Sequence, residues 1–325
     1  MSIPHFARRI VPVLVIASAF LSGCSKAVNT VPWPDKPGPK VVSTFPPITC
    51  LVANVLGDSG VVRGVMSVQG PHEFNATVAE AAAVAGGELF FINGLELDNQ
   101  IAEKMRASSG NKSLTIVDLG AKIDEKRYLE MEHNHDHGAG HDHHHHGGFD
   151  PHIWLGPDMA ILMVESIGAE LKKIDPKHAA DYDRRVAEYT AKLNKLLADG
   201  KAMLGGKPIK IITMHESMGY FARAYGIEIV GSVQPSPGQE PARNELDKLI
   251  ATCIEKNVTV IAVEPQYGTS SAVRVIQREL KAKGKPELHV VELDPLETSR
   301  DAIPPLDFYE TKMRENLKAL AEAAK

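Results

Sequence analysis

The sequence predicts an α/β fold of two (β/α) lobes, each built on a parallel four-stranded sheet, joined by one long rigid helix. Two observations carry this. Short β-rich runs alternate with helical runs in two separate series, and one strongly periodic helix lies between the series. Strands that alternate with helices argue for parallel sheets covered on both faces.

In the first series the β-rich runs are 41–45, 61–66, 88–92 and 114–119, with helical runs over 48–56, 77–84 and 99–106. In the second series the runs are 209–214, 227–233, 258–263 and 288–293, alternating with helices over 218–225, 244–256 and 272–283. Between the series, Pro176 to about Leu204 predicts one helix. Asp175 can cap it and Pro176 suits its first turn. Tyr182, Val186, Tyr189, Leu193 and Leu197 recur at spacings of four and three, which places them on one face. Gly205 and Gly206 stop it. At 1.5 Å per residue such a helix runs roughly 43 Å, long enough to brace both lobes. A binder built on one helical strut closes little around its ligand.

The first residues read as a processed signal. Arg8 and Arg9 precede an apolar run from Ile10 to Leu21, which is shorter than the roughly 20 apolar residues a bilayer span requires. The run ends in Leu21-Ser22-Gly23-Cys24, which resembles the lipobox of bacterial lipoproteins and implies lipidation of Cys24. Two or more acyl chains anchor stably where one is marginal. Residues 25–40 carry Pro32, Pro34, Pro37 and Pro39 without a hydrophobic period, so they predict an extended, semi-rigid spacer. The predicted organisation is a signal peptide over 1–23, a lipidated Cys and Pro-rich tether over 24–39, and a first lobe over 40–174. The linking helix follows over 175–205 and the second lobe over 206–325. The mature protein is expected outside the cytoplasm, held at a membrane through its N-terminal lipid.

A net charge of -5 offers no basic footprint for nucleic acid. Three cysteines make no disulfide framework. Cys253 falls on the apolar stripe Leu246, Leu249, Ile250, Cys253, Ile254, which favours a buried core residue over a bridge to Cys50.

The most informative stretch is the histidine-rich loop over 132–148. His133, His135, His137, His141, His143, His144, His145 and His146 are interleaved with Gly and Asp, so the segment can neither bury a core nor hold a helix. Neutral imidazole is a ligand for borderline metals, and such a tract reads as an auxiliary, weak metal-binding loop. It is internal and broken by acids, unlike a purification tag.

In open α/β sheets ligands bind beyond the carboxyl ends of the strands. His72, in Gly70-Pro71-His72-Glu73-Phe74, follows the second strand. His152, in Asp150-Pro151-His152, follows the histidine tract. His215 ends the first strand of lobe two, and Asp294, in Leu293-Asp294-Pro295, ends its last. Two ligands from each lobe would put a metal in the interlobe cleft. Three imidazoles and a carboxylate suit Zn(II); Mn(II) favours more carboxylates. Asp-Pro also begins turns for local reasons. Glu264, at the end of the 258–263 strand, is a rival fourth ligand or a partner that orients an imidazole, and water is a third choice. His178 and His289 fall outside this placement and read as structural.

From about Lys40 to its end the chain resembles the zinc/manganese group of metal solute-binding proteins of bacterial ABC importers, nearest their high-affinity zinc-uptake branch. The matching stretches include Ser43-Thr44-Phe45-Pro46-Pro47, Gly70-Pro71-His72-Glu73-Phe74, Asn93-Gly94-Leu95, the histidine-rich loop and Asp150-Pro151-His152-Ile153-Trp154-Leu155. In the second half they include His215 with Gly219-Tyr220-Phe221, Gln239-Glu240-Pro241, Glu264-Pro265-Gln266 and Leu293-Asp294-Pro295-Leu296. The resemblance implies a metal between the lobes on residues matching His72, His152 and His215, with a variable fourth position here assigned to Asp294. It also implies delivery to an ABC permease and its ATPase by a monomeric, extracytoplasmic binding protein. A histidine at 215, where manganese members usually carry a carboxylate, points to zinc. One departure is Asp98 after Glu96, where members often carry Glu.

Catalytic zinc is the rival chemistry, but His215-Glu216 lacks the second histidine a metalloprotease helix needs, since residue 219 is Gly. No nucleophile motif stands out, so an enzyme is not expected. A zinc buffer or metallochaperone and a surface adhesin are the other readings.

Overall fold

The computed structural model describes residues 32–131, 148–206, 208–234, 238–265, 270–286 and 288–324. Cys24 and the eight loop histidines lie outside these residues. The first lobe runs β1 (Lys40–Ser43), α1 (Pro46–Leu56), β2 (Val61–Gly64), α2 (Val78–Ala83), β3 (Leu89–Ile92), α3 (Asn99–Ser109) and β4 (Thr115–Asp118). Its sheet has the order β2-β1-β3-β4, and all neighbours are parallel. Helices α4 (Pro157–Ile174) and α5 (Ala179–Leu204) follow. The second lobe then runs β5 (Ile209–Thr213), α6 (Gly219–Tyr225), β6 (Ile227–Ser232), α7 (Arg243–Lys256), β7 (Val260–Val263), α8 (Ser271–Ala282), β8 (His289–Glu292) and α9 (Phe308–Ala323). Its sheet repeats the plan as β6-β5-β7-β8, again parallel. The two-lobed α/β expectation is therefore met; seven strands fall within their predicted runs, and β1 starts one residue earlier, at Lys40.

Local sequence explains the elements. β3 reads Leu89-Phe90-Phe91-Ile92 and is buried throughout, as a central parallel strand covered on both faces requires. α8 turns Ala272, Val273, Ile276 and Leu280 inward, a one-sided stripe at helical spacing. α2 begins with a capping box in which Thr77 and Glu80 satisfy each other's backbone N–H groups.

The long helix differs from expectation at its start. Pro176–His178 form a 3-10 turn, and regular α-helix begins at Ala179. The Asp175 carboxylate is taken by His178 Nδ1 at 2.6 Å and the Tyr182 hydroxyl at 2.8 Å, so it serves side chains and caps no backbone amide. Residues 179–204 run about 39 Å, and the helix ends at Gly205 and Gly206, both left-handed with φ of 64° and 65°.

α5 packs on α1 and α4, which precede it, and on α6 and α9 of the second lobe. Close approach requires small residues here. A Cβ at Gly168 of α4 would meet Val186 at 2.5 Å, and one at Gly200 of α5 would meet the Tyr225 ring at 2.3 Å. A single apolar core runs from Val41 through Trp154 and Tyr189 to Tyr220, Leu293 and Tyr309, while the outer face of the second sheet has its own core around Ile212, Ile261 and Ile276. Swinging the lobes apart would expose fully buried rings such as Trp154 and Tyr220, at about 25 cal/mol for each Å² of apolar surface. The fold therefore resists wide opening.

Residues 32–39 of the expected spacer lie on the first lobe. The Trp33 indole donates to the Ala85 carbonyl at 2.7 Å, and the Arg63 guanidinium sits 4.1 Å over its ring. Cys50 and Cys253 are buried free thiols, and burial pushes them up to about 12 and about 11. Among the described residues no helix is long and apolar enough to cross a membrane.

Candidate metal centre

Both sheets aim their carboxyl ends at the interlobe cleft, and loops from four strand ends meet there. After β2 the chain turns through Gly70-Pro71-His72, with Glu73 N–H closing onto the Gly70 carbonyl at 3.3 Å. Gly70 leaves room for the acid: a Cβ there would lie 2.8 Å from Glu297 Oε2 and 3.2 Å from its Cβ, so a larger residue would displace that carboxylate. His72 is the solvent-facing member of the group.

His152 stands just before a buried 3-10 turn, Ile153–Leu155. Asp150 Oδ1 accepts from the His152 backbone N–H at 2.8 Å and pairs with its Nδ1 at 2.7 Å. With the proton held on Nδ1, the lone pair of Nε2 points into the cleft. His215 follows β5, and its Nδ1 lies 2.5 Å from Glu264 Oε1, an arrangement that assigns Nε2 as the ring atom for a metal. Glu264, read from sequence as a rival ligand or an orienting group, occupies the orienting position. Burial alone would lower the His215 imidazole, but the Glu264 contact and charge outweigh it and raise it above its ordinary value.

The fourth member of the group is Glu297. One ligand atom from each of His72, His152, His215 and Glu297 lies within 4.8 Å of every other. The two Nε2 atoms of His72 and His152 are 3.2 Å apart, and Glu297 Oε1 is 3.4 Å from the first and 3.9 Å from the second. A tetrahedral zinc site with metal–ligand bonds of 2.0–2.1 Å puts its ligand atoms ~3.4 Å apart. The His72–His152 and His72–Glu297 spacings match tetrahedral vertices, and the whole donor set lies within 4.8 Å. Burial pushes the Glu297 carboxyl up, yet the His72 contact and the three nearby imidazoles bring it below its usual range. His152, His215 and Glu297 are all under 5% exposed, so a dication would be shielded from water except on the His72 side.

Asp294 is not in the group, which corrects the expectation placed on it. Its Oδ1 accepts from the Leu296 N–H at 2.7 Å, its Oδ2 pairs with Lys312 at 3.3 Å, and its backbone is held at both ends by Asn316. The Asp-Pro step is therefore a turn. That turn carries Leu296 into the left-handed region with φ of 65°, and the next residue presents its carboxylate to the cleft. A sequence reading that stops at the strand end misses Glu297, because a left-handed leucine is not announced by its residue type. The signal that was available is a second carboxylate three residues further on.

Asp98, the departure noted above, is fully buried and accepts from the Thr44 hydroxyl at 2.7 Å and from the Asn93 and Gly94 N–H groups at 2.9 Å each. Asn93 in turn donates to the Pro151 carbonyl at 2.9 Å, so Asp98 holds the loop against which His152 is set. Burial raises its carboxyl to about 6. His178 pairs with Asp175 and His289 opens β8, consistent with structural roles.

Chemically, three neutral imidazoles and one carboxylate neutralise half of a dication. The carboxylates of Asp150 and Glu264, one bond further out, supply the rest and fix the ring orientations.

A family model described as zinc-uptake complex component A, periplasmic, matches residues 41–323. The chain is 34% identical over 281 residues to the high-affinity zinc uptake system protein ZnuA of Bacillus subtilis (strain 168), covering 83% of this chain and 85% of that one. It is 26% identical to the zinc-binding protein AdcA of Streptococcus pyogenes serotype M3 across 86% of its own length, but spans only 55% of that longer protein. Among solved structures, the solute-binding protein FpvC from Pseudomonas aeruginosa in complex with Mn2+ superposes with a TM-score of 0.75 at 26% identity, covering 88% of this chain and 98% of that one. A crystal structure of ZnuA superposes with a TM-score of 0.72 at 26% identity, covering 89% and 100%.

Proposed function

The chain belongs to the family of periplasmic zinc-uptake components, and from that premise we propose that it captures Zn(II) in the interlobe cleft and passes it to an ABC permease driven by its ATPase. The observation that carries this reading is the convergence of His72, His152, His215 and Glu297 from both lobes on one point. Zinc is the cargo, held by three Nε2 atoms and a carboxylate oxygen. Zn(II) accepts such a tetrahedral N/O set, whereas a harder Mn(II) site favours more carboxylates and octahedral geometry. The Mn2+ complex of FpvC makes manganese the natural competitor in any binding test.

The lipobox-like Leu21-Ser22-Gly23-Cys24 supports anchoring of a monomer through lipid on Cys24, outside the cytoplasm. The eight histidines between 133 and 146 serve as a weak, multivalent antenna that raises the local zinc concentration near the cleft. Because the four donor atoms already lie within 4.8 Å of one another and one core braces both lobes, capture needs small side-chain adjustments and no wide closure. Release then falls to the permease, which must pull on this rigid frame.

Titration of the metal-free protein with Zn(II) and Mn(II), by calorimetry with a competing chelator, tests the reading. One tight site that prefers zinc is expected; equal or tighter manganese binding, or no tight site, would overturn it.

A further inference from the structure

Helix α6 belongs to the second lobe, yet its first two residues close on the polypeptide that carries His152 in the first. The Tyr220 hydroxyl accepts from the Leu129 N–H at 3.0 Å and donates to the Asp150 carbonyl at 3.0 Å. Tyr220 is fully buried, and burial holds its phenol protonated, so that donation persists at any physiological pH. Leu129 and Asp150 are themselves paired, Asp150 N–H to Leu129 carbonyl at 2.8 Å, next to the bridge between Glu130 and Phe149. Gly219 completes the contact. A Cβ there would lie 2.6 Å from Asp150 Oδ2 and 3.0 Å from Leu129 Cδ1, so only glycine lets the Asp150 carboxylate keep its position.

Asp150 is the residue that sets His152. Its Oδ1 meets both the backbone N–H and Nδ1 of that histidine. Tyr220 therefore grips the main chain of Asp150 and Gly219 bounds its side chain, both from across the cleft. Arg223 reinforces the same contact by a different route, donating to the Arg127 carbonyl at 2.5 Å and pairing with Asp158 at 3.2 Å, without touching Asp150.

We propose that Gly219 and Tyr220 form an interlobe latch that positions His152 through Asp150, so that displacement of the second lobe and loss of the oriented His152 ligand are one event. This rests on the zinc-capture reading and adds a path by which a partner pulling on one lobe loosens a ligand supplied by the other. Neither residue touches the metal; both act through Asp150.

The test is a double-mutant cycle on the full chain, read by chelator competition for Zn(II) and, in the metal-free protein at pH 8, by 15N NMR of the His152 ring. Tyr220→Phe keeps the buried ring and removes both hydrogen bonds. It is expected to weaken zinc about tenfold, in the range that outer partners of a metal ligand command, and to lower the Nδ1-protonated share of His152. In an Asp150→Ala background the same substitution should weaken zinc less than about twofold, since no carboxylate remains to be positioned. Gly219→Ala should reproduce the zinc loss with both Tyr220 hydrogen bonds available. Arg223→Ala should lower thermal stability while leaving zinc affinity within about twofold of the unsubstituted protein.

Unchanged affinity in Tyr220→Phe, an equal loss in the Asp150→Ala background, or a matching loss in Arg223→Ala would overturn the latch. Failure of the unsubstituted protein to bind zinc would instead overturn the capture reading beneath it.

Discussion

Replacing Glu297 separates the site seen in the structure from the one read off the sequence. Glu297 Oε1 stands 3.4 Å from His72 Nε2 and 3.9 Å from His152 Nε2, at the fourth vertex of the donor set. Glu297→Gln keeps the shape of the side chain and removes its charge. A group hydrogen-bonded to a metal ligand commonly commands 10–100-fold in affinity, so a direct anionic ligand should command at least about 100-fold, or about 2.8 kcal/mol at 1.4 kcal/mol per decade. Asp294→Asn is the matched control. It removes the charge facing Lys312, a partly exposed pair worth at most about 1 kcal/mol of stability, and keeps an oxygen for the Leu296 N–H that holds the turn. Zinc affinity should then stay within about threefold of the parent protein, as expected for a change that leaves the donor set untouched. Competition against a fluorescent zinc chelator at fixed pH measures both. The reasoning fails if Asp294→Asn loses as much as Glu297→Gln, or if Glu297→Gln binds like the parent.

Three further outcomes are expected. Zinc affinity should fall as pH drops, because neutral imidazoles are needed. His215 is raised by Glu264, so protonation competes from above the ordinary imidazole value. In the metal-free protein the sign is opposite: the protonated His215–Glu264 pair stabilises the fold at low pH, and that contribution is lost as pH rises through the raised value. Glu264→Gln should therefore move the acid midpoint of zinc binding downward, and a midpoint that stays or rises in pH-resolved titrations would contradict this. Gly200→Ala should lower the unfolding temperature even though alanine favours helix by about 1 kcal/mol, because its Cβ meets the Tyr225 ring at 2.3 Å and overpacking costs about 1–3 kcal/mol; a rise in differential scanning calorimetry would refute it. Deleting residues 133–146 should leave the tight one-to-one site intact and remove only weak stoichiometry in calorimetry; loss of the tight site would refute the antenna role.

The fold was legible because its signals are local. β3 is an unbroken apolar run and α8 an unbroken stripe, and each needs only its own window to be recognised. The two helices that sequence alternation did not announce are α4, which packs chiefly on other helices, and α9, which packs on α1 and α5 as well as β8; strand alternation gives no cue to them. Within the site, the three histidines were legible from sequence, His72 and His215 as imidazoles after strands and His152 as the one that follows the histidine tract. Glu297 was not, because its placement depends on a turn set by Asp294, Lys312 and Asn316, partners up to 22 residues away. The start of α5 was misjudged for a related reason: Asp175 is a plausible cap by type, but a histidine and a tyrosine claim its carboxylate. Likewise no periodicity could foretell that Trp33 would dock its indole on Ala85.

The measurement that bears most directly on zinc capture is a crystal structure of the zinc-loaded protein with anomalous data on either side of the zinc edge. Capture at this cleft requires one strong peak coordinated by His72 Nε2, His152 Nε2, His215 Nε2 and Glu297, with Asp294 still facing Lys312. A peak elsewhere, or a cleft zinc that leaves out any of the three imidazoles, would contradict it.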